Sequence, residues 1–137
     1  MTGIKGLDEM LGGGLPKGSS VLVCGGPGSG KTIFSAQFLY VGAREHNEPG
    51  IFVSLSENGE SIKQNMLKLG WNLEELVKQR RLAIYDLSSV AYLSPEEFHK
   101  AAYGIKVPEF TIESTIAAIR DRVETLKAKR IVIDSIT

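Results

Sequence analysis

Residues Gly25-Gly26-Pro27-Gly28-Ser29-Gly30-Lys31-Thr32 fit the phosphate-loop pattern G-x-x-x-x-G-K-[ST], and they stand between the two elements that such a loop must join. Upstream, Ser20-Val21-Leu22-Val23-Cys24 reads as a short buried strand; downstream, Ile33 to Arg44 reads as a helix, with Phe34, Phe38 and Val41 at i, i+4 and i+7. That order sets the expected architecture as α/β and the expected ligand as a nucleoside triphosphate with magnesium. Glycines at 25, 26, 28 and 30 let the backbone curl its N–H groups inward, a nest for phosphate oxygens. The first turn of the helix adds unpaired donors and the positive end of the dipole. Lys31 is expected on the terminal phosphates as a point charge, and the Thr32 hydroxyl on Mg²⁺. The alternative, a glycine-rich turn that binds nothing, does not explain Lys-Thr between correct flanks.

Composition limits the rest. A chain of 137 residues is long enough for one domain with a real core and short for two. A hydrophobic fraction of 42% and a charged fraction of 23% suit a soluble globular protein, expected in the cytoplasm. Sixteen basic and sixteen acidic residues cancel, so net charge gives no support for nucleic acid or an anionic membrane as partner, a basic patch formed in an assembly aside. One cysteine, Cys24, excludes an internal disulfide, and the lack of a C-x-x-C pair argues against a zinc site. Its expected role is to fill a small apolar space, with a reactive thiol as the alternative. No apolar run approaches 18 residues, and no signal-peptide pattern opens the chain.

Along the chain, a short helix is expected from about Gly6, followed by a glycine turn at Gly12-Gly13-Gly14 that packs on the domain as a lead-in. Ile51 to Leu55, Leu82 to Asp86 and Ile131 to Asp134 read as strands. Between them, Ser61 to Leu69 reads as a helix stopped by Gly70, and Asn72 with Glu75 as a capping box opening a helix through Lys78. Ser94-Pro95-Glu96-Glu97 has the form of another helix start. Thr111 is positioned to cap a last helix with Ile116, Ile119, Val123 and Leu126 at helical spacing, and Lys127, Lys129 and Arg130 read as its solvated basic end. Strands alternating with helices imply a parallel sheet with helices on both faces. His46 and His99 have no partner pattern and read as solvated, and Trp71 as a core or helix-end plug.

Two further residues bear on chemistry. Arg130-Ile131-Val132-Ile133-Asp134 has the form of a Walker B strand, apolar residues ending in an aspartate that helps hold magnesium across from the loop threonine. Many buried strands end in Asp; the phosphate loop upstream is what gives this one its functional reading. Glu57, just past the second apolar strand, is either the carboxylate that orients water toward the γ-phosphate or an ordinary surface acid.

These motifs occur in a recognisable order. Thr2-Gly3-Ile4 through Gly12-Gly13-Gly14-Leu15-Pro16-Lys17-Gly18, the phosphate loop, Phe52-Val53-Ser54-Leu55, Leu69-Gly70-Trp71 and Ile133-Asp134-Ser135 resemble the RecA-type ATPase domain of the KaiC/RadA family, archaeal KaiC-like proteins above all. The resemblance spans essentially the whole chain. It implies a RecA-like core over residues 1–137, ATP and Mg²⁺ binding, and assembly into rings, often hexameric, with nucleotide between neighbours. Two departures qualify it. Where members commonly carry a glutamate pair, this chain has Ser56 and Glu57, and the first position usually aligns with the RecA catalytic carboxylate. The sequence also stops three residues after Asp134, before the family's later strands, one of which lies between the phosphate-loop and Walker B strands. A RecA-like domain truncated there would expose sheet edges and apolar surface.

The expected function is an ATPase that couples Mg-ATP binding and hydrolysis to oligomeric assembly or to regulation of a protein partner. Lys31 and Thr32 bind nucleotide, Asp134 supports the metal and Glu57 positions water. The alternative is a switch or scaffold that holds ATP with negligible hydrolysis. Nothing in these residues argues for DNA recombination or for autophosphorylation.

Overall fold

The computed structural model describes residues 1–26, 28–87 and 112–134, the last stretch with side chains from 116 onward. In chain order the elements are α1 (Leu7–Met10), α2 (Lys31–Glu45), β1 (Gly50–Ser54), α3 (Gly59–Leu67), α4 (Leu73–Lys78), β2 (Leu82–Asp86), α5 (Ile112–Leu126) and β3 (Arg130–Asp134). The expected Ser94–Glu97 helix start, the Thr111 cap, His99 and Ser135 lie outside the described residues.

The strands form one parallel sheet in the order β2-β1-β3, with Ser54 level with Asp86 on one side and Asp134 on the other. All five residues of the central β1 are buried, as a continuous apolar run in a parallel sheet requires. On one face Ala36, Leu39 and Ala43 of α2, Ile62 and Met66 of α3, and Leu73 and Leu76 of α4 close over Phe52 and Leu82. On the other, α5 brings Leu126, Ile119 and Val123 against Ile51, Val53 and Ala83. Asn58 caps α3 by accepting from the Ser61 N–H at 2.8 Å, and Asn72 caps α4 by accepting from the Glu75 N–H at 3.1 Å. Trp71 plugs the turn between these helices, stacked on Tyr40 at 5.9 Å between ring centres.

The amino-terminal lead-in is tied to the domain. The Thr2 N–H and hydroxyl both donate to Asp8 Oδ1 at 2.7 Å, and Gln37 Nε2 of α2 donates to the Gly3 carbonyl at 3.0 Å. The Thr2 N–H bond leads the effects that hold the Asp8 carboxyl below its ordinary pKa, against the opposing pull of burial.

Three expectations fail. Ser20 to Cys24 form no strand; Val21, Leu22 and Val23 are 55%, 79% and 41% exposed, and Cys24 is exposed as well. The cause lies at β3, which among the described residues has β1 as its only strand neighbour. An apolar run becomes a strand when a paired edge receives it, and no described strand pairs with this one. Ile131 and Ile133 on β3 are 46% and 52% exposed for the same reason, since α5 covers the β1 and β2 residues of that face and stops short of them. The third failure is Arg130, which is buried rather than solvated. Its guanidinium lies 4.6 Å from the Phe38 ring centre, donates to the Phe38 carbonyl at 2.8 Å and to the Met1 carbonyl, and pairs with Glu48 at 3.3 Å. Gly42 makes room: a Cβ there would meet Arg130 Cδ at 2.5 Å.

Candidate nucleotide site

The loop from Gly25 to Gly30 turns on left-handed glycines, Gly28 at φ 77° and Gly30 at φ 91°, which a side chain would strain. The Ser29 N–H donates to the Gly26 carbonyl at 3.2 Å, and a Cβ at Gly25 would meet Ser29 Oγ at 2.4 Å, so the loop is folded tightly on itself. Pro27 lies outside the described residues. Where Asn58 and Asn72 cap their helices, α2 begins at Gly30 with no side-chain cap. The first helical acceptor is used by the Phe34 N–H, which donates to the Gly30 carbonyl at 2.8 Å. The N–H groups of Lys31, Thr32 and Ile33 therefore have no protein acceptor among the described residues, and the positive end of a 15-residue helix faces the loop. An anion is what such a terminus is built to receive.

Across from it stands the carboxyl end of β3. Thr32 Oγ1 donates to Asp134 Oδ2 at 2.7 Å, a contact between residues 102 positions apart. A hydroxyl and a carboxylate in contact are a hard, all-oxygen pair, the donor chemistry that suits Mg²⁺. Among the described residues no group of three His, Cys, Asp or Glu side chains offers a different metal centre.

Glu57 is fixed beside this edge. The Ser54 hydroxyl donates to the Glu57 carbonyl and accepts from the Glu57 N–H at 3.2 Å, while Ser54 itself lies level with Asp134. The Glu57 carboxylate accepts from Ser61 Oγ at 2.9 Å and from Asn65 Nδ2 at 3.1 Å, both on α3. Among the described residues no hydrogen bond links it to Lys31, Thr32 or Asp134. Ser56 is exposed in the same turn. Two residues of this edge carry no site role in the sequence reading: Ser54, and Asp86, whose Oδ2 accepts from the Gly59 N–H at 2.9 Å. Their shared signal is a polar residue closing an otherwise apolar strand, the position that Asp134 also occupies.

The carboxyl edge of an open parallel sheet, the glycine loop, an uncapped helix and a Thr–Asp pair together define an α/β phosphate-loop domain of the RecA-like type. A family model described as the KaiC ATPase matches residues 1–137, and the chain belongs to that family. It is 43% identical to a UPF0273 protein of Methanopyrus kandleri, over 99% of this chain and 52% of that protein. It is 38% identical to the circadian clock protein KaiC2 of Synechocystis, over 98% of this chain and 22% of that one. Among solved structures, a KaiC-like protein of the hyperthermophilic archaeon Pyrococcus horikoshii superimposes with a TM-score of 0.78 at 37% identity, covering 97% of this chain and 51% of that one. The chain thus spans about half the length of the Methanopyrus and Pyrococcus proteins, 52% and 51%, and 22% of KaiC2. No helix among the described residues is long and apolar enough to cross a membrane.

Proposed function

We propose that this domain binds Mg-ATP at Gly25 to Thr32 and hydrolyses it, within a larger homo-oligomeric protein. The observation that carries the reading is the Thr32–Asp134 hydrogen bond at 2.7 Å, which joins the phosphate loop to the Walker B strand. Thr32 and Asp134 are the residues that would hold magnesium, whose chemistry is to neutralise phosphate charge. Lys31 would bind the terminal phosphates and stabilise charge on them as the bond breaks. Glu57 would orient water, and the Ser54 bonds that fix its backbone beside the Asp134 edge support that role. Ring assembly, often hexameric in the family, a regulatory protein partner and a cytoplasmic setting belong to the same proposal.

A second reading, a nucleotide-dependent switch with negligible turnover, is favoured by Ser56 and by the two α3 donors that both bond Oε1 of Glu57 and turn it toward α3. Measuring nucleotide affinity and phosphate release on the complete protein separates the two. Lys31→Ala should weaken Mg-ATP binding roughly a hundredfold, near 3 kcal/mol. Glu57→Gln should leave affinity unchanged and lower turnover by about two to four orders of magnitude. Unchanged turnover in Glu57→Gln removes Glu57 from the mechanism. Tight binding without magnesium-dependent phosphate release selects the switch, and wild-type protein that binds no nucleotide ends both readings.

A further inference from the structure

The edge of the sheet opposite the phosphate loop carries its own pattern. Among the described residues, the non-glycine positions with left-handed backbone are Asn47 at φ 53°, Arg80 at φ 58° and Lys127 at φ 56°. Each sits in a turn that leaves a helix and enters a strand: α2 to β1, α4 to β2, α5 to β3. Because Gly50 is level with both Leu82 and Arg130, the three turns stand in a row, in the order Arg80, Asn47, Lys127. Strand spacing sets the outer two about 10 Å apart. The turns at Arg80 and Lys127 close in the same way: the Arg81 N–H donates to the Leu76 carbonyl at 2.9 Å, and the Ala128 N–H to the Val123 carbonyl at 3.0 Å. Glycine is the residue such a turn favours, and the chain uses it at Gly70 after α3, with φ 85°. A cation serves the helix dipole equally well from the last helical turn, with ordinary backbone.

Charge follows the same row. Arg80, Arg81, Arg122, Lys127 and Lys129 are exposed, and none makes an ion pair among the described residues. Asp121 and Glu124 share α5 with Arg122 but pair with none of these cations. The opposite edge ends in Asp86 and Asp134, and the acid of the central amino-edge turn, Glu48, is paired with Arg130. A cavity of about 350 Å³ opens at the amino edge, lined by Arg80, Arg122, Thr125 and Leu126. The Thr125 hydroxyl is committed to the Asp121 carbonyl at 2.9 Å, so of the side chains lining the cavity Arg80 and Arg122 are the ones with donors to offer.

We propose that this cavity is a second oxyanion site, taking a phosphate group of a phosphorylated ligand between Arg80 and Arg122, with Lys127 and Lys129 extending the attraction along the edge. Guanidinium forks match phosphate oxygens two at a time, and paired forks suit a multiply charged anion better than a chloride. The site shares no residue with the nucleotide loop, so it stands whether or not ATP is hydrolysed.

Titration of the complete protein, isotopically labelled, with inorganic pyrophosphate, followed by amide chemical shifts without magnesium, tests it. In a Lys31→Ala background, shifts should persist around Arg80 and from Arg122 to Leu126. Arg80→Gly removes the fork but suits the left-handed turn, so it should weaken binding at least tenfold while the thermal midpoint holds or rises. Arg122→Gln should weaken binding likewise. Shifts confined to the phosphate loop, undiminished affinity in Arg80→Gly, or an equal response to sodium chloride at matched ionic strength would each overturn the site. Displacement of pyrophosphate by a short oligothymidylate would identify a nucleic-acid backbone as the phosphate source; its failure to compete would identify a small phosphorylated ligand. Either result leaves the site standing.

Discussion

Arg130 opens the strand that ends in Asp134, and it holds three parts of the domain together. One guanidinium reaches the Phe38 carbonyl of α2, the Met1 carbonyl of the lead-in and the Glu48 carboxylate before β1. Removing it leaves those acceptors without their donor in a largely buried site, so Arg130→Ala should cost about 3 kcal/mol in urea unfolding. Arg130→Lys should recover less than half of that, because one ammonium cannot replace the planar fork. Burial alone would raise the Glu48 carboxyl, but the hydrogen bond and charge of Arg130 outweigh it and hold the group below its ordinary 4.5. A carboxyl more acidic in the folded state adds stability above its unfolded pKa and loses it as pH falls through the folded value. Stability should therefore be level near neutrality and decline on acidification below the ordinary carboxylate range. Arg130→Ala should make that decline shallower without abolishing it, because Asp8 is held low independently. An acid limb of unchanged steepness would show that the Glu48 pair contributes nothing.

At the scale of elements, α3 and α4 span nine and six residues, too short to persist on propensity alone, so caps and packing decide them. Asn58→Ala and Asn72→Ala should each cost about 1 kcal/mol, read as a lower urea midpoint at constant slope, with glycine at either position milder. No change in either variant would assign both helices to packing alone. The Asn72 cap was legible because Glu75 follows at the right distance. Asn58 was not, because periodicity marks apolar positions and put the helix start at Ser61, two residues late. Legibility failed similarly elsewhere. The sheet order depends on which edges meet, and a buried apolar run such as Ser20 to Cys24 carries no information about whether its partner strand is present. Arg130 looked like the end of a basic cluster because its acceptors lie 82, 92 and 129 residues away. The phosphate loop and Asp134 were legible for the opposite reason, since close backbone approach and oxygen donors restrict residue type at fixed positions. The hydrogen bonds that turn Glu57 toward α3 were not, since Ser61 and Asn65 are ordinary helix residues.

Taken whole, the molecule divides its surface unevenly. Aspartates close the two outer strands at the edge that faces the phosphate loop, basic turns open the same two strands at the other, and β3 leaves a flank of apolar side chains uncovered. Ile131 and Ile133 belong to that flank, beside an edge of β3 that pairs with no described strand, and Val21, Leu22 and Val23 are exposed as well. An open, apolar edge is a template for another chain, and natural sheets usually blunt theirs with charge or cover them. The 137-residue chain on its own should therefore bind a hydrophobic dye and grow in light scattering as its concentration rises. Ile131→Lys combined with Leu22→Lys should suppress both signals by placing charge on the exposed flank. The sheet itself should survive, because Leu22 is 79% exposed and Ile131 46% exposed. If instead the unmodified chain stays monomeric and silent to the dye at every concentration, the flank is covered by part of the chain itself. Ser20 to Cys24 are then the first residues to examine, because pairing them with β3 would bury their apolar side chains and anchor the loop that begins at Gly25.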